Sequence, residues 1–133
     1  MPTKEMLEAH PLPAELARDL LASCIDACLA CLQCCTACAD ADLAEDDVAE
    51  MRRCIRLCLD CADVCDATAR TLSRQTEFVA QTARAQVSSC RQLCAICAAE
   101  CERHAAHHEH CRLCVEHCRR CEEACSEVQE ALD

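Results

Sequence analysis

Cys54-Ile-Arg-Leu-Cys58-Leu-Asp-Cys61-Ala-Asp-Val-Cys65 is the stretch that decides the fold of this 133-residue chain. Its cysteines step by four, three and four, and Cys90, Cys94, Cys97 and Cys101 repeat the same steps. At about 100° per residue such positions share one face of an α-helix, whereas a strand would send alternate members to opposite faces. Two longer groups complete the pattern: Cys24, Cys28, Cys31, Cys34, Cys35 and Cys38, then Cys111, Cys114, Cys118, Cys121 and Cys125. Four helix-sized clusters with short connections predict an all-α chain, an antiparallel up-down-up-down four-helix bundle with a Cys-lined core.

Working outward from the stripes, the first bundle helix is expected to start near Pro13, where a proline in the first turn sacrifices no hydrogen bond, and to run to about Asp40. A capping box, Asp42-Leu-Ala-Glu45, is expected to open the second. Thr71 or Ser73 is expected to open the third, and the fourth begins within the His-rich stretch from His104 to His110. Residues 1–133 form one domain, with 1–12 as a short N-terminal segment. Extended beyond the cysteines, the inward positions at one end are Ala17, Leu21, Thr68, Leu72, Ala80, Ala83 and Val128, an apolar plug. At the other end lie Cys38, Asp47, Met51, Cys101, His104, His107, His108 and Cys111, the composition of a metal entrance.

Composition narrows the chemistry. The chain has 19 Cys, no Gly, no Trp, no Tyr and a single aromatic residue, Phe78. A secreted disulfide scaffold would be loop-rich and would need turn residues that are almost wholly missing here. Met1 to Leu20 carries Lys4, Glu5, Glu8 and Glu15 and holds no apolar run of signal-peptide or membrane-span length, which predicts a cytoplasmic protein. Thiols are kept reduced in that compartment, and an odd cysteine count argues against a closed set of disulfides. The net charge of −11, from 24 acidic and 13 basic residues, disfavours nucleic acid and anionic membrane surfaces as partners.

Reduced thiols on four facing stripes read as metal ligands. Cysteine is too small to fill a core as leucine does, so a core of thiols alone is expected to be underpacked, with bound ions making up the deficit. Thiolate is a soft ligand that selects Cu(I), Zn or Fe–S clusters. Thiols at i and i+4 stand about 5–6 Å apart at Cβ and can turn toward one shared ion. Replacing each thiol proton by one Cu(I) leaves every site neutral, so a whole core can load without burying unpaired charge. The capacity expected from that argument is about one Cu(I) per Cys.

The repeated Cys-x3-Cys-x2-Cys-x3-Cys stripe, together with the two longer runs, resembles the copper storage proteins over almost the whole chain. The chain looks like the cytosolic branch of that family. The resemblance implies storage rather than catalysis, multiple Cu(I) ions per chain, and a homotetramer of four-helix bundles. It also implies that His and Met residues at the open end help pass copper in or out, which agrees with the independent placement of Met51, His104 and His108. A copper donor or acceptor protein is the partner such a role calls for.

Two alternatives carry weight beside this reading, an iron-sulfur protein and a zinc-thiolate protein with a redox or structural role. Cys28-x2-Cys31-x2-Cys34-x3-Cys38 matches a ferredoxin cluster spacing, but Ala39 stands where that motif has proline, and the chain has no glycine to loop around a cluster. Zn²⁺ asks for four ligands in a tetrahedron, which stacked stripes can supply in part. Cys34 lies about 80° from the centre of its stripe, which makes it the weakest ligand candidate. His10, His110 and His117 read as solvated, as does Asp47 at the mouth. Ile25, Leu29 and Leu32 form an apolar strip beside the first Cys face that must pack on something.

Overall fold

The computed structural model describes residues 1–133. It contains five α-helices: α1 (Thr3–Ala9), α2 (Arg18–Leu43), α3 (Arg52–Leu72), α4 (Ala80–Glu102) and α5 (Glu109–Leu132), with a short 3-10 turn at Val48–Met51 ahead of α3. Helices α2 to α5 form the expected bundle. Each packs on two neighbours in the ring α2, α3, α4, α5, and across the α3–α5 diagonal sulfurs meet, Cys58 with Cys114 and Cys65 with Cys121, each at 3.9 Å. The space between the diagonals is where the cysteine stripes converge. At 1.5 Å per residue the 26-residue α2 is about 39 Å long.

The termini of these helices differ from the sequence reading in instructive ways. Helix α2 starts at Arg18 rather than Pro13, because residues ahead of it turn back to seat α1. That short helix closes the apolar strip: Leu7 is buried, Ile25 is buried beneath it, and Leu29 and Leu32 are half-buried against the core. The Lys4–Asp19 ion pair, at 2.9 Å, ties the two helices at the surface. At its other end α2 runs past Asp40 to Leu43, since Ala39, Asp40 and Ala41 give no reason to stop. Asp42 is therefore no cap of α3; its side chain is buried inside the last turn of α2.

The expected opening of the next helix at Thr71 or Ser73 is also corrected. Both hydroxyls bond back to helical carbonyls, Thr71 Oγ1 to Ala67 O and Ser73 Oγ to Ala69 O, each at 2.7 Å, so they belong to the last turn of α3 and its C-cap. The buried Gln75 amide then donates to Leu72 O at 2.8 Å. With no glycine in the chain, Glu77 takes the left-handed turn conformation itself, at φ 54°, a strain of about 1–2 kcal/mol. Helix α4 starts after it, at Ala80.

The plug end forms largely as read. Leu21, Thr68, Leu72, Val87 and Val128 are all fully buried and Ala83 nearly so. Ala17 and Ala80 sit outside it, exposed at helix starts. Thr68 carries the only hydroxyl in the plug, and it is satisfied internally by Val64 O at 2.7 Å and by the Gln86 amide at 2.9 Å. Helix α2 alone is long and apolar enough to cross a membrane by length and composition. Its apolar residues include six cysteines, five of which are buried in the bundle.

Candidate metal centre

Eighteen of the nineteen cysteines are buried, and all nineteen are free thiols. Their sulfurs form a ladder along the bundle axis. Near the plug, Cys24 and Cys125 stand 3.8 Å apart and Cys28 and Cys121 3.6 Å apart. The next rungs link Cys65 to Cys90 and Cys94 at 3.8 Å, Cys61 to Cys94 at 3.8 Å, and Cys31 to Cys61 at 3.9 Å and to Cys118 at 3.7 Å. Toward the open end, Cys35 lies 3.7 Å from Cys114, and Cys58 lies 3.8 Å from Cys97 and 3.6 Å from Cys101. Cys54 with Cys101, and Cys38 with Cys111, finish the ladder at 3.7 and 3.9 Å.

These separations are van der Waals contacts, so the thiol core closes on itself instead of remaining hollow. The small cysteine side chains let the helices come together, which corrects the expectation of an underpacked interior. Four sulfurs repeatedly converge within 4.8 Å of one another, as in Cys28/Cys90/Cys121/Cys125, Cys31/Cys35/Cys61/Cys118 and Cys38/Cys54/Cys58/Cys101. Each of these three groups draws on three helices. The ferredoxin-like spacing dissolves here, because Cys28, Cys31 and Cys38 each join a different group. Cys34 joins none of these three; it is partly exposed, and its thiol donates to the Gln33 side chain at 3.7 Å.

A buried thiol network shares protons unevenly. Acceptance of S–H bonds from Cys125 and Cys28 pulls Cys24 down to about 5, and Cys101 does most to bring Cys97 to about 6. Their neighbours move the other way: Cys28 is raised chiefly by its bond with Cys121, and Cys125 by its bond with Cys121 and then Cys24. A thiolate stabilised by adjacent S–H groups is already a soft ligand, and the proton on the neighbour leaves when a metal ion takes its place.

The open end is polar and contains residues that the periodicity missed. His108, the N-cap of α5, places Nδ1 3.0 Å from Glu45 Oε2 and Nε2 3.2 Å from Asp47 Oδ2. That bond holds the Asp47 carboxyl below its usual range. His110, read as solvated, stacks on His108 and brings Nδ1 to 3.4 Å from Cys38 Sγ and 3.6 Å from Cys111 Sγ. Asp42 receives the Cys111 thiol at 3.7 Å; burial first, then the contact with Cys54, pushes its carboxyl up to about 8. Its second oxygen, Oδ2, has no partner.

Asp42 was legible in hindsight, since it continues the α2 stripe four residues past Cys38. Glu100 is the other omission. It is nearly fully buried beside Cys101, and its oxygens accept from His104 Nε2 at 3.0 Å and from Arg103 Nη1 at 3.0 Å, with Arg53 Nε at 3.3 Å. Met51 is fully buried where α3 begins, and His104 is half-buried on the turn after α4. His107 does not join them: it is exposed on the same turn.

Comparison with protein families matches residues 17–130 to the family described as copper storage protein. Among solved structures, the copper storage protein of Streptomyces lividans loaded with 10 copper equivalents is 49% identical, covers 96% of this chain and 98% of its own, and superposes with a TM-score of 0.94. A second structure, of copper loading to a cytosolic copper storage protein from Streptomyces lividans with five coppers, is 54% identical over 84% of this chain and 93% of that one, with a TM-score of 0.84. No curated protein matches the chain. A matched segment that spans all four bundle helices, over a core of eighteen buried thiols, makes this chain a member of the copper storage protein family.

Proposed function

We propose that this protein stores Cu(I) in the cytoplasm without catalysing a reaction, holding its cargo on the eighteen buried thiols of the α2–α5 bundle. The observation that carries the reading is the unbroken sulfur ladder from Cys24 to Cys111, which offers many soft sites in continuous contact. Loading each thiolate with one Cu(I) releases one proton and leaves the site neutral, so the interior fills without accumulating charge. Four thiolates around each Zn²⁺ would instead leave two net negative charges per site in a core that contains no cation.

The end bearing Met51, His104, His108 and His110 serves as the copper entrance, and the Leu21/Leu72/Val128 end is closed. Cys34 lies off the ladder and adds nothing to capacity. A donor or acceptor protein for copper fits the polar end. A homotetramer is supported by apolar residues left exposed on outer helix faces, Leu59, Ile96 and Leu113. Light scattering of the metal-free protein reads that assembly directly.

The deciding experiment is an anaerobic Cu(I) titration of the reduced protein against a chromophoric Cu(I) chelator. About one tightly held ion per buried thiol is expected, with one proton released for each. Saturation after a few ions would refute the filled-core reading.

A further inference from the structure

The three half-buried imidazoles of the open end are not equivalent. His108 has a carboxylate oxygen at each ring nitrogen, Glu45 Oε2 at 3.0 Å and Asp47 Oδ2 at 3.2 Å, so neither nitrogen is free. His110 sets Nε2 3.3 Å from Glu45 Oε1 and Nδ1 among Cys38, Cys111 and Asp42. His104 differs from both: Nε2 meets Glu100 Oε2 at 3.0 Å, and Nδ1 has no protein partner although it is not sealed from solvent. A carboxylate oxygen can only accept, so the bond requires the proton on Nε2. In the neutral ring Nδ1 then keeps its lone pair.

Glu100 is built to hold that arrangement. Its side chain is 4% exposed, and it is gripped by two guanidinium groups, Arg53 from α3 and Arg103 from the turn after α4. A carboxylate fixed from two sides and bonded to an imidazole is the arrangement that elsewhere sets the tautomer and aim of a metal-binding histidine. The spacing is local, since Glu100 and His104 are four residues apart across the end of α4.

The geometry points to Glu100 as a positioning residue for copper capture: it pins His104 as the Nε2–H tautomer and so presents Nδ1 as the one free nitrogen donor among the three half-buried imidazoles. Incoming Cu(I) binds first at His104 Nδ1 and then passes to the thiol ladder, which begins at Cys101 in the last turn of α4. The inference rests on the reading of this end as the copper entrance. Arg53 and Arg103 act through Glu100, while His108 has both ring nitrogens taken up by Glu45 and Asp47.

The test uses the full-length reduced protein and the variants Glu100→Gln, His104→Ala and the two combined, with Glu102→Gln as an exposed control on the same helix. Long-range proton–nitrogen NMR of the metal-free protein, under mildly alkaline conditions, is expected to show His104 as the Nε2–H tautomer, and Glu100→Gln to scramble it. Rapid-mixing capture of the first Cu(I) from a chromophoric chelator is expected to slow roughly tenfold in Glu100→Gln, with the loss in rate and not in ions bound at saturation. His104→Ala should be at least as slow, and adding Glu100→Gln to it should slow capture no further. An Nδ1–H tautomer in the unaltered protein would overturn the proposal, as would an equal slowing by Glu100→Gln in the presence and absence of His104. A chain that captures no Cu(I) at all would instead refute the storage reading, and the tautomer result would still decide the role of Glu100.

Discussion

The two ends of the bundle are made by the same four helices on the same heptad stripes, yet one is sealed and the other polar. At the sealed end the stripe positions carry Leu21, Leu72, Val87 and Val128, with the Thr68 hydroxyl satisfied inside the plug. At the open end the same positions carry Asp42, Met51, His104 and the Cys111 thiol, and carboxylates surround the imidazoles. The contrast teaches that spacing decides what faces the axis, while side-chain chemistry decides whether that position excludes an ion or passes it. Between the ends the thiols make an interior that is apolar when protonated and ligating when not.

The largest effect that would break this contrast lies midway. Replacement of Cys31, Cys35, Cys61 and Cys118 by serine removes one complete convergence of sulfurs, and chelator titration should show a loss of about four Cu(I) per chain. Retention of full capacity would mean that the core is not the store. Next comes the plug. Leu72→Ala leaves a cavity among fully buried neighbours and should lower unfolding free energy in urea by about 2–5 kcal/mol. Its copper capture rate should stay at the original value, and a faster rate would mean that the sealed end also conducts ions.

A comparable but pH-dependent effect belongs to Asp42 at the other end. Its carboxyl is raised from an ordinary 3.8 to about 8 by burial, so between these values the folded protein keeps a proton that the unfolded chain has released. Stability therefore falls as pH rises through that window, and Asp42→Asn, which cannot ionise, should abolish the slope. Urea melts of the metal-free protein on either side of the window should show the variant gaining on the order of 2–5 kcal/mol relative to the original chain at the alkaline side. An unchanged slope would place the titrating group elsewhere. The smallest effect is expected from Cys34→Ser, which should alter neither capacity nor melting temperature, because that thiol stands apart from the ladder. Loss of an ion on that substitution would bring Cys34 back as a ligand.

The bundle was legible because the four, three, four steps of the cysteines leave helix as the only regular structure that keeps them together. Family, fold and cargo followed from the same residues. Helix ends were not legible: Thr71 and Ser73 look like openings, and only the carbonyls they reach show that they close α3. Asp42 sat in a plausible capping pattern, and the competing fact, its place on the α2 stripe, gained weight only once Cys54 and Cys111 were seen around it. α1 went unread because its role depends on a strip of α2 that it covers.

By itself, the sequence determined which residues of each helix face the axis, because helical periodicity is a local property that needs no partner. Only the tertiary structure decided which sulfurs meet, and which carboxylates and imidazoles surround the opening. Those encounters depend on the axial offset and rotation of one helix against the next, which the loops and the packing of all four helices set together. Hence Cys28, Cys31 and Cys38, close in sequence and spaced like a cluster motif, end in three separate groups, while Cys38 and His110, 72 residues apart, come within 3.4 Å.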